Sequence, residues 1–196
     1  MKKGVITLLI IAGVAMAIFF ACKNGYNNMV LKQETVAAQW SNVENQYQRR
    51  LDLIPNLVNT VKGYASHESE TLTAVIEARA QATRTNISID ELNQQTLSEL
   101  NKSQGALSAA LGKLMAIAES YPNLKANQNF RDLQVQLEGT ENRIATERRK
   151  FNEAARAYNS YIRQFPRNLF ASMFGFEKQA YFEAEQGAAT APKVEF

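Results

Sequence analysis

From Val36 to Tyr64 the large side chains recur at alternating steps of four and three: Val36, Trp40, Val43, Tyr47, Arg50, Ile54, Leu57, Val61, Tyr64. A 3.5-residue period held this long fits a helix packed lengthwise against other helices; a half-buried strand would need a period of two. Leu51 and Val58 widen the stripe beyond a two-stranded seam, so the expected setting is a bundle. Pro55 lies inside the pattern, where it removes one helical hydrogen bond and bends the helix locally. Arg50 is the one charge on the seam.

Further helices follow. Ser66 or Ser69, with Glu68 and Glu70 in a first turn, opens a second helix with the stripe Leu72, Val75, Ile76, Arg79, Ala80 and a stop at Asn86. Ser88-Ile89-Asp90-Glu91 matches a capping box and predicts the start of a third. Its seam is Leu97, Leu100, Leu107, Leu111, Leu114, Ala118, Tyr121, and Pro122 ends it. Gly105, Ser108, Ala109, Gly112 and Ala116 form a second, small-residue face that would admit a close neighbour. A fourth helix runs from near Asn127 to Pro166 with Phe130, Leu133, Leu137, Ile144, Phe151, Ala155, Tyr158, Ile162 and Phe165. The fold class expected is all-α: an N-terminal transmembrane helix, then an antiparallel four-helix bundle of long helices. The predicted core is Trp40, Tyr47, Ile54, Leu57, Leu137, Ile144 and Phe151.

If helices one and four are antiparallel neighbours, residues whose numbers total roughly 194 lie level. Arg50 then faces Ile144, within a turn of Glu141 and Glu147, and Asp52 falls beside Arg143. An unpaired buried charge is costly. The expectation is therefore an interhelical polar network of Arg50, Asp52, Glu141 and Arg143. In it Arg50 pairs with Glu141 or Glu147, and Asp52 with Arg143.

Val5 to Cys22, VITLLIIAGVAMAIFFAC, carries no charge. As a helix it would reach about 27 Å at ~1.5 Å per residue, close to the ~30 Å hydrocarbon core. Three readings stand: an uncleaved signal anchor, a cleaved signal, and a lipoprotein acylated on Cys22. Lys2 and Lys3 favour a cytoplasmic N-terminus and an extracytoplasmic body; Lys23, Lys32, Arg49 and Arg50 pull the other way. The domain expectation is 1–23 as membrane anchor, 24–186 as helical bundle and 187–196 as a disordered tail. The apolar stretch Leu169–Phe176 is too short to span. It would cover a bundle end, lie on the membrane, or bind another subunit.

Lys plus Arg number 22 and Asp plus Glu 19, but three of the lysines flank the apolar run and no acid precedes residue 24. The body is neutral overall rather than basic, which argues against a nucleic-acid partner. One Cys and one His exclude an intramolecular disulfide and Cys- or His-rich metal centres. No catalytic residue, cofactor, metal site or small-molecule substrate is predicted. Arg148, Arg149 and Lys150 read as a solvated face or a headgroup contact. Asn142, Asn152 and Asn159 read as hydrogen-bonding residues of a helix. The alternative to a binding protein is a phosphotransfer bundle using His67 in Ser66-His67-Glu68.

Two blocks carry a resemblance. The first is Trp40-Ser41, Val43 and Gln46 to Val58, containing RRLDLIPNLV, followed by Val61-Lys62-Gly63-Tyr64-Ala65. The second is Tyr121-Pro122, Leu124-Lys125-Ala126-Asn127 and Leu137 to Ile144, EGTENRI within it, with Phe151-Asn152 and Tyr158-Asn159. The chain resembles the LemA family over nearly its whole length. Cys22-Lys23-Asn24-Gly25 departs from simpler members, which continue the helix there. The resemblance implies a bacterial cell-membrane protein with one N-terminal span, a helical-bundle body and no established enzymatic activity; the expectation is a protein that is not an enzyme. The expected role is that of a scaffold or interaction protein of the cell envelope, self-assembling or bound to other proteins.

Overall fold

The seam and the apolar run belong to one helix. The computed structural model describes residues 2–183, with side chains from residue 4. In it α1 extends unbroken from Lys2 to Lys62. The others are α2 (Ser69–Arg84), α3 (Gln94–Ala118), α4 (Pro122–Ala126), α5 (Gln128–Arg163) and α6 (Arg167–Met173). No strand occurs among the described residues, and the fold is all-α. The expected tail, 187–196, lies outside them. Packing divides the chain into two units. One takes in the chain up to Gln39 with Glu153–Gln179; the other takes in Trp40–Asn152 and the chain from Ala180.

In the first unit, α1 carries a window apolar and long enough to cross a bilayer, none of it buried. Met29 and Val36 of α1 are buried, as are Ala155, Tyr158 and Ile162 of α5 and Ala171 of α6. Asn159 clamps the backbone after α6: its Nδ2 donates to the Gln179 carbonyl and its Oδ1 accepts from the Gln179 amide, both at 2.9 Å.

The second unit is a four-helix core. Leu51, Ile54, Leu57, Val58 and Val61 of α1 pack with Leu72, Val75 and Ala82 of α2, Leu107, Leu111, Leu114 and Ala118 of α3, and Phe130, Leu133 and Leu137 of α5. Three contacts set the antiparallel register of α1 and α5. Trp40 meets Phe151 at 5.5 Å between ring centres, Arg50 meets Glu141 at 2.5 Å, and the Tyr64 hydroxyl accepts from Asn127 at 2.9 Å. Each pair of numbers totals 191. A constant total means the two helices rise at equal pitch in opposite directions. The helices alternate in direction: α1 and α3 run together, α2 and α5 oppose them.

Pro55 stays inside α1 because its lost bond is replaced. Proline has no N–H to give the carbonyl four residues back, which is that of Leu51. Arg79 Nε, from α2, donates to the Leu51 carbonyl at 2.9 Å instead. A double-mutant cycle tests this. Arg79→Ala is expected to cost about 1 kcal/mol in the native chain, because the carbonyl is left unpaired. In a Pro55→Ala background the alanine amide supplies the helical bond, and the cost of Arg79→Ala should shrink to near the noise of urea unfolding. An equal cost in both backgrounds would disprove the exchange.

Several boundaries differ from expectation. The Ser88 box forms, with Glu91 Oε2 accepting from the Ser88 amide at 3.3 Å, but it closes only the 3-10 turn Ile89–Glu91. The helix proper begins after Asn93, whose Oδ1 accepts from the amides of Gln95 and Thr96. Thr96 Oγ1 accepts from the Asn93 amide in return, so a second, complete box wins the start of α3. Pro122 does not terminate α3; it opens α4 at the first helical position, where no N–H is needed. Ile76, Tyr64 and Phe165, assigned to stripes, are exposed. The small face of α3 is turned outward: Ser108, Ala109, Gly112 and Ala116 are exposed. The leucine stripe beside it takes the interior, because it removes far more apolar surface from water.

Candidate functional site

The heptad positions of α1 bring Arg50 to the interior at 1% exposure. Its guanidinium is gripped from two other helices. Nη1 donates to Glu141 Oε1 of α5 at 2.5 Å and to Ser108 Oγ of α3 at 3.0 Å. Nη2 donates to the Gln104 backbone carbonyl at 3.3 Å and to the Gln104 side-chain oxygen. Nε is left without a partner. Tyr47, one turn earlier, lies with its ring 5.9 Å from the guanidinium carbon. Its buried hydroxyl has no partner, and burial pushes the phenol above its ordinary range against the pull of the Arg148 and Arg50 cations.

Asp52 and Arg143 do not join this network. Asp52 is exposed and accepts from Gln48 Nε2 at 2.7 Å, while Arg143 is exposed on α5. Two residues along a helix turn about 200°, so when Arg50 faces the core Asp52 faces water. Glu147 pairs with Lys150 at 2.9 Å rather than with Arg50. The register explains the choice, because a total of 191 sets Glu141 level with Arg50.

Trp40, Tyr47, Ile54, Leu57, Leu137, Ile144 and Phe151 are all buried. Trp40 and Phe151 share a cluster with Phe182, which the seam pattern does not contain. Phe182 stacks on Trp40 at 6.0 Å and meets Phe151 edge-on at 5.6 Å. Asn152 holds it by the backbone: Nδ2 donates to the Phe182 carbonyl and Oδ1 accepts from its amide, both at 2.9 Å. Arg148, read as solvated, lies over the Phe182 ring at 4.4 Å and donates to Asn101 at 2.9 Å. The sequence reading missed Phe182, because an isolated phenylalanine outside the helical stripes has no period to betray it.

Beside the Arg50 network a groove of about 280 Å³ opens between α3 and α5. Ser108, Leu111, Gly112 and Met115 form one wall, and Gln134, Leu137, Glu138 and Glu141 the other. The outward small face of α3 therefore leaves a trough with an apolar floor and a carboxylate rim.

His67 is exposed in the turn between α1 and α2, not on a helix. A phosphotransfer histidine of a bundle would stand on a helix, so this placement is against the phosphotransfer alternative. Cys22 is half-buried, a free thiol within α1. Among the described residues no cluster of three His, Cys, Asp or Glu could hold a metal.

The comparisons agree with the resemblance of the two sequence blocks. The LemA family profile matches residues 39–196, well over half of the chain. Magnetosome protein MamQ 2 of Paramagnetospirillum magneticum is 31% identical, over 84% of this chain and 67% of its own. Magnetosome protein MamQ of Magnetospirillum gryphiswaldense is 27% identical, over 97% of this chain and 77% of its own. Protein LemA of Metamycoplasma hominis is 25% identical, over 86% and 73%. By length and composition, the unburied apolar start of α1 is sufficient to cross a membrane. The chain belongs to the LemA family.

Proposed function

We propose that the protein is a non-enzymatic scaffold of the bacterial cell envelope, held by one N-terminal span and acting by binding protein helices, those of its own copies among them. The anchor is 1–23, the body 24–186, and the body is extracytoplasmic because Lys2 and Lys3 hold the N-terminus inside. The span is read as an uncleaved anchor because Phe19 and Phe20 crowd the end of the apolar run, where a cleavage site needs small residues. The observation that carries the reading is the α3–α5 groove. Small residues open it, apolar side chains floor it, and Glu138 and Glu141 give its rim a preference for a basic helix.

Gly112→Leu tests the groove without disturbing the fold. A Cβ at Gly112 meets nothing within 4 Å. Leucine also favours the helix over glycine by about 1 kcal/mol, so the melting temperature should not fall. The full chain in mild detergent is expected to run larger than a monomer by light scattering, and Gly112→Leu to shift it towards the monomer. A strictly monomeric native particle would remove self-assembly. Unchanged assembly in Gly112→Leu would remove the groove as its seat.

A further inference from the structure

We propose that Phe165–Phe176 is a second membrane attachment: a short segment lying in the lipid–water interface beside the point where α1 leaves the bilayer. The proposal rests on the reading of α1 as a span.

Phe165, Leu169, Met173 and Phe174 are 81%, 60%, 67% and 49% exposed. Leu169 and Met173 stand four apart, on one face of α6, while Ala171 is buried on another. Four large apolar side chains within ten residues make a patch that water disfavours.

The level of this patch along α1 is fixed by contact. A cleft of about 410 Å³ is shared by Ala21, Cys22 and Gly25 of α1 with Pro166, Arg167 and Phe170. Tyr26 packs edge-on against Phe174 at 5.2 Å and Phe176 at 5.5 Å. Residues 21–26 are where α1 changes from an uncharged run to Lys23 and Asn24. That change marks the boundary between hydrocarbon and headgroups. The patch therefore sits at the boundary too, continuous with Ile18, Phe19 and Phe20, which are exposed on α1.

The chemistry around it suits that depth. Two cations lie over the Tyr161 ring, Arg167 at 4.2 Å and Lys32 at 5.4 Å from its centre. Aromatic rings with an Arg or Lys at hand are what the interface accommodates, the apolar body inward and the charge outward. Seven helical residues cannot span, but an apolar face of this size can lie in the plane. The occupant is thus phospholipid rather than a second copy. The patch adjoins the face of α1 that already meets acyl chains, so a protein partner would itself have to enter the bilayer.

The test uses the full chain with Cys22→Ser, reconstituted in vesicles of phosphatidylethanolamine and phosphatidylglycerol. Single cysteines at Leu169, Met173, Val14 and Glu34 carry an environment-sensitive fluorophore. Nitroxides on the acyl chains and aqueous iodide serve as quenchers. Labels in Leu169→Cys and Met173→Cys are expected to be quenched by the nitroxides at least about threefold more than the label in Glu34→Cys, and to be shielded from iodide. Iodide quenching equal to that of Glu34→Cys would overturn the proposal. Shielding from both quenchers would overturn it in favour of a protein partner. A label in Val14→Cys that escapes the nitroxides would bring down the span itself and the proposal with it. Quenching at Val14 but not at Leu169 or Met173 would bring down the proposal alone.

Discussion

Trp40→Ala is expected to lower the stability of the body by about 4 kcal/mol, near the middle of the range for removing a buried tryptophan. Three losses coincide at this position. The indole fills a site at 1% exposure, so its removal leaves a cavity that rigid helices close only in part. Two ring contacts vanish, the edge-on one with Phe151 and the stacked one with Phe182, each of the kind that adds about 1 kcal/mol beyond area. The indole N–H, 3.2 Å from the Ile87 carbonyl, also leaves that acceptor unpaired. Phe182 would then lose its stacking partner and keep Phe151, its Asn152 clamp and the Arg148 guanidinium. Urea unfolding of the full chain in detergent, followed by circular dichroism, gives the cost. Trp40→Phe retains a ring and should recover about half. A loss under about 1 kcal/mol in Trp40→Ala would mean the aromatic cluster is not part of the cooperative core.

How much of this could be read from the residues depends on what each one obeys. The seam of α1 was legible because lengthwise packing imposes a period, and Trp40, Ile54 and Leu57 follow it to the interior. The start of α3 was not, because Ser88 and Asn93 both offer a box and only the geometry of the following turn decides between them. The small face of α3 was visible as composition. Whether it would be filled or left open was not, since a rival stripe of leucines settles that by area. Arg50 marked itself by breaking a pattern, and its partner lay within one turn of the place that a mirror register indicates. Three residues of register error, 191 against roughly 194, are enough to move Arg50 from Ile144 to Glu141. Phe182 and Gln179 escaped altogether. They are held by asparagine side chains acting as a substitute backbone, and that pairing obeys no period.

Glu141→Ala should cost about 2 kcal/mol, and more than Arg50→Met, although the arginine is the more deeply buried partner. The asymmetry follows from what each variant leaves behind. Arg50 cannot shed its charge, and at 1% exposure it cannot reach water. Without Glu141 it retains Ser108 and Gln104, which are neutral acceptors. An orphaned buried charge costs roughly 3–5 kcal/mol. The Glu141 side chain is 42% exposed, so its removal admits solvent to the guanidinium edge and lowers the figure. Arg50→Met leaves the opposite remainder. Glu141 can turn out to water, methionine fills the volume, and only Gln104 is stranded inside, for about 1 kcal/mol. The double variant Arg50→Met with Glu141→Ala should then cost no more than Arg50→Met alone, a non-additive result readable in the same urea experiment. If Arg50→Met proved the costlier single change, packing around the guanidinium and its bonds to Gln104 would be what holds α1 to α3, and the charge pair incidental. The expected order instead makes Glu141 the residue that permits a cation on the seam. It also ties the rim of the groove to the core, because the carboxylate that borders the groove is the one that neutralises Arg50. A basic partner helix competing for Glu141 would loosen the bundle beneath it, so binding at the groove and stability of the body are expected to be coupled.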